Sequence, residues 1–69
     1  MPSLKTRYLA DYGNARRAAV ALARDLMRGD PDTFKAGYSP ANAALAAGEL
    51  FGLNAADTDA VRLEVSRDA

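Results

Sequence analysis

The sequence predicts a small all-α domain of one long helix and two or three shorter ones, folded as helical hairpins. Three observations carry that expectation. Sixteen of the 69 residues are alanine, the strongest intrinsic helix former. Ser3, Ser39 and Asn54 stand where helices would start, and Gly29 and Gly52 where they would stop. Between Ser3 and Gly29 there is no proline to interrupt a helix.

Ser3 is suited to cap the first helix. Gly13-Asn14 then offers either a tolerated glycine, costing about 1 kcal/mol relative to alanine in a helix interior, or a break in which Asn14 caps a new start. The run Ala15-Arg16-Arg17-Ala18-Ala19-Val20-Ala21-Leu22-Ala23 has the propensity to carry that cost. One long helix over 4–28 is therefore expected, with a kink allowed near Gly13 and Gly29 as its stop.

Asp30-Pro31-Asp32-Thr33 combines a cap, a proline at the first helical position and an acid in the first turn. It predicts a short helix over 31–36, closed by Gly37. Ser39-Pro40 repeats the signal and opens a third helix running to Phe51 before Gly52. Asn54, followed by Asp57, opens a last element over 55–67. There Val61, Leu63 and Val65 alternate with Arg62, Glu64 and Ser66 in the manner of a strand. A lone strand would find a partner only across a dimer, so helix is favoured and strand is the competing reading.

On the first helix, Tyr8, Tyr12, Ala15, Ala19, Leu22, Ala23 and Leu26 share one side, flanked by Leu9, Val20 and Met27. Arg17, Arg24 and Arg28 share the adjoining face. The third helix is mostly small, with Leu45, Leu50 and Phe51 as its bulk; it reads as a core partner for the first helix in preference to a dimer seam. Phe34 is expected in the core. Tyr38, between glycine and proline, is equally suited to stand exposed or to fold back over the hairpin.

Only eighteen apolar residues are larger than alanine, and none is Ile or Trp. A chain of this size buries only roughly 60% of its unfolded surface, so one marginal core in a single domain over 1–69 is expected, and a homodimer with it. The net charge of zero conceals an asymmetry: residues 1–35 carry +3 and residues 36–69 carry −3. Such halves attract each other within the fold, pair head-to-tail across a dimer, or remain two solvated faces.

The chain has no cysteine and no histidine, which removes disulfides, thiolate and imidazole ligands, and the usual proton shuttle at neutral pH. Asp30 with Asp32, and Asp57 with Asp59, are the close carboxylate pairs, and each sits at a helix start where the dipole favours acids. Neither matches a calcium loop, and no glycine loop is shaped to cradle phosphate. The expectation is a protein that is not an enzyme and takes no cofactor. The longest apolar run, Ala18 to Ala23, is too short to span a bilayer, and a cytoplasmic location is expected.

The arginine stripe is what nucleic-acid binding would need, and helices 40–51 and 55–67 have helix-turn-helix proportions. The second of them carries Asp57, Asp59 and Glu64, which phosphates would repel; direct nucleic-acid binding is disfavoured. Arginine and tyrosine dominate protein-interface hot spots, so Arg16, Arg17, Arg24, Arg28 and Tyr38 are the candidate protein-binding residues. A small DNA-binding regulator or antitoxin is the alternative, and a structural component of a phage particle a third reading.

In length and in its alanine- and arginine-rich plan, notably residues 14–27 and 41–51, the chain resembles the quorum-sensing anti-activators carried by phages of Pseudomonas. The resemblance implies a small dimer that binds a LuxR-type transcription activator of the host and blocks its DNA binding. It implies a second host target as well, the type IV pilus assembly ATPase. No site residue is carried over from that family.

Overall fold

A computed structural model describes residues 3–29 and 37–67. Four helices follow one another: α1 (Leu4–Tyr12), α2 (Ala15–Arg28), α3 (Pro40–Phe51) and α4 (Ala55–Ser66). The domain is all-α, and no strand occurs among the described residues. The alternation at Val61, Leu63 and Val65 belongs to a helix: the Asn54 side chain accepts from the Asp57 N–H and starts α4, which buries Val61 and Val65 one turn apart. The expected helix over 31–36, Phe34 and the Asp30/Asp32 pair lie outside the described residues.

The single long helix expected over 4–28 is two helices. Gly13 adopts φ 85°, a left-handed conformation that suits glycine, and its N–H closes α1 on the Leu9 carbonyl. Asn14 is extended and its side-chain oxygen accepts from the Arg17 N–H at 2.8 Å, starting α2. Satisfying orphan backbone groups on both sides of the break offsets the hydrogen bonds that a continuous helix would have kept. Propensity alone therefore misjudged this junction.

With the break in place, α1, α3 and α4 all pack on α2. That is why Ala18 to Ala23 are buried without interruption, all round the helix and not along one stripe. Ala18 and Ala21, which the stripe leaves out, are inside. Tyr12, which it includes, is 46% exposed because α1 departs in its own direction.

Among the described residues, seven of the twelve buried apolar ones are alanines, and the largest side chains buried completely are Val61 and Val65. The Cα atoms span only 17 Å in the thinnest direction, too little depth to enclose larger side chains between helices about 10 Å in diameter. On α3 the small residues Ala43, Ala44, Ala47 and Gly48 face inward with Phe51, while Leu45 and Leu50 are exposed. The third helix is thus a core element, packed against both α2 and α4. No polar or charged residue is buried among those described.

Candidate functional site

Arg16, Arg17 and Arg24 line one cleft of about 530 Å³. Its α2 wall also contributes Val20 and Ala21, both of them largely buried. Arg17 and Arg24 are seven residues apart, about 10 Å along the helix axis, a span suited to two or three residues of an extended chain. Arg16 and Arg17 have no ion-pair partner among the described residues.

Tyr12 of α1, Asn14 of the junction and Glu64 of α4 complete the lining. Asn14 does two things at once: it caps α2 by accepting from the Arg17 N–H, and it lines the cleft. Tyr12 is held by Tyr8, whose ring stacks on it with centroids 6.2 Å apart and planes 16° apart. Tyr8 is held in turn by donating its hydroxyl hydrogen to the Asp25 carboxylate on α2. Burial, the Asp25 hydrogen bond and the Asp25 and Tyr12 charges push the Tyr8 hydroxyl up from 10.0 to about 12, against a smaller lowering by Arg7. The proton therefore stays on Tyr8 throughout the neutral range, keeping the Tyr8 donor in place.

The other two residues singled out in the sequence stand apart from this cleft. Arg28 lies one turn beyond Arg24 and its guanidinium is 3.7 Å from Asp25, with 75% of its side chain exposed. Tyr38 is 48% exposed, so it does not fold back over the hairpin; its N–H donates to the Leu26 carbonyl at 2.8 Å, fixing it beside the C-terminal end of α2. Tyr12, Val20, Ala21 and Glu64 were not anticipated as site residues. Val20 lies one turn after Arg16 on α2, a local signal that was available, whereas Tyr12 belongs to α1 across the break at Gly13-Asn14. Glu64 arrives from a distant helix, and nothing local announces it.

The Asp57/Asp59 pair has structural work. Asp57 occupies the first turn of α4, and one Asp59 oxygen accepts from Arg62 at 2.8 and 3.0 Å. No group of three or more acidic side chains gathers among the described residues in a way that would hold a metal ion. Among the described residues, no helix is long and apolar enough to cross a membrane.

A second groove of about 570 Å³ runs between α3 and α4, with Ala44, Leu45, Gly48, Leu53 and Thr58 in its apolar lining and Glu49, Asp59 and Arg62 at its polar positions.

No family model, curated protein or solved structure matches this chain. The fold and the two grooves are what bears on function.

Proposed function

We propose that this is a non-enzymatic interaction protein that binds and inhibits another protein, taking an acidic segment of it into the α1–α2–α4 cleft. The observation that carries the reading is the gathering of Arg16, Arg17 and Arg24 at one cleft with the exposed Tyr12 beside them. Arginine forks bind carboxylates through charge-assisted hydrogen bonds, and Tyr12 adds a rigid aromatic contact. Arg28 at the end of α2, and Tyr38 beside that end in the segment before α3, extend the contact for a larger partner. By the resemblance to phage anti-activators, the partner is a host LuxR-type activator whose DNA binding is blocked, with the type IV pilus assembly ATPase as a second target.

The reading as a helix-turn-helix regulator has α3, Gly52-Leu53-Asn54 and α4 in its favour. Against it, Arg62 is already held by Asp59 on the same helix, and α4 carries the exposed Leu63 and Glu64. The experiment that separates the two adds the protein to a purified LuxR-type activator bound to its DNA. Release by the native protein, and none by a folded Arg17→Glu/Arg24→Glu variant, is expected. Direct, sequence-preferring binding of the protein to the DNA, falling steeply with salt, would instead establish the regulator.

We also propose that the protein works as a homodimer. Leu4, Leu45, Leu50 and Leu63 are 37–56% exposed while alanines fill the core, leaving apolar area that a second copy would cover. Sedimentation as a monomer at micromolar concentration overturns this.

A further inference from the structure

Among the described residues Glu64 is the one acid lining the cleft, against three arginines, and it makes no ion pair among them. A site evolved to hold any polyanion would gain from a fourth basic or neutral group there. Instead α4 places a carboxylate opposite the basic wall of α2. The two classes of anion differ in how they meet such a site. Duplex DNA carries a charge about every 1.7 Å of its axis, so a backbone lying across Arg16, Arg17 and Arg24 necessarily brings phosphate near Glu64. A protein segment carries its carboxylates only at chosen side chains. It sets them against the arginines and turns a backbone N–H, a hydroxyl or an apolar group toward Glu64.

Resting on the protein-binding reading of the cleft, we propose that Glu64 is its specificity-determining residue: it admits acidic protein segments and rejects nucleic-acid backbones. Specificity of this kind comes from a repulsive element set against the wrong partner as much as from attraction to the right one. The arginines supply the attraction common to both classes, and Glu64 supplies the difference between them. Glu64 is exposed on α4, so replacing it leaves the core untouched.

The test compares native protein, Glu64→Gln and Glu64→Lys for binding to two labelled probes at low and moderate salt. One probe is a short peptide of alternating glutamate and leucine, the other a DNA duplex of arbitrary sequence. Circular dichroism and a melting curve confirm that all three fold alike. Native protein is expected to bind the peptide and to bind the duplex weakly. Glu64→Lys is expected to raise the ratio of duplex to peptide affinity roughly tenfold and to steepen the salt dependence by about one phosphate contact, with Glu64→Gln between the two. If the peptide binds but the ratio is the same in all three proteins, the role of Glu64 is wrong while the cleft reading stands. If the peptide is not bound, or binds equally to an Arg17→Glu/Arg24→Glu variant, the cleft reading fails and this inference falls with it.

Discussion

Gly48 of α3 and Thr58 of α4 approach so closely that a β-carbon on Gly48 would stand 2.5 Å from the Thr58 hydroxyl oxygen and 3.1 Å from its methyl carbon. Thr58 is β-branched, with few rotamers open to it in a helix, so the clash is not relieved by a simple swing of the side chain. Gly48→Ala gains about 1 kcal/mol of helix propensity and loses more to overpacking, typically about 1–3 kcal/mol. A net loss is expected in urea unfolding. Thr58→Ala removes both offending atoms, so the double variant should recover most of the loss; a Gly48→Ala protein as stable as the native one would contradict the contact.

The break between α1 and α2 offers a second test. Gly13 sits at φ 85°, and nothing lies within 4 Å of the place a β-carbon would take, so Gly13→Ala meets only backbone strain, roughly 1–2 kcal/mol. Asn14→Ala loses the cap on α2 and should cost about 1 kcal/mol. Both changes favour a continuous helix, which would carry Tyr8 away from Asp25 and so undo the support that sets Tyr12 at the cleft. Chemical denaturation reads the cost, and weakened binding of the glutamate–leucine peptide by the combined variant reads the displacement.

Tyr8 gives the stability a pH dependence of known sign. With its hydroxyl raised from 10.0 to about 12 by burial and by Asp25, the folded state holds the proton more tightly than the unfolded chain does. Its contribution is complete below pH 10 and is lost as the pH rises through about 12. Ultraviolet titration should show a late tyrosinate step that disappears in Tyr8→Phe and moves down in Asp25→Asn.

The cleft arginines should separate binding from stability. Arg16 and Arg17 are without ion pairs among the described residues, and Arg17 is exposed, so Arg17→Ala is expected to move stability by no more than about 0.5 kcal/mol. Loss of a charge-assisted contact should weaken partner binding by about 1.5–3 kcal/mol. A melting curve and a binding titration on the same sample check both halves.

The all-α class, the caps at Ser3, Ser39 and Asn54, and the stops at Gly29 and Gly52 were legible in the sequence because each depends on neighbours within a turn. Helical periodicity groups Arg17, Arg24 and Arg28 on one face, whereas the cleft takes Arg17 and Arg24 with Arg16 and leaves Arg28 apart. The break at Gly13-Asn14 was legible as an option only: capping and propensity are nearly balanced there, and the packing of α1, α3 and α4 around α2 is what exploits the break. Likewise α4 is helical although its alternation reads as a strand, since α2 and α3 offer it helical packing partners. Glu64 in the cleft, Thr58 against Gly48 and Tyr8 on Asp25 are contacts between separate helices. Local physics determined which segments are helices. Which face of each helix meets another, and therefore which charges share a site, was decided only when α1, α3 and α4 competed for the surface of α2.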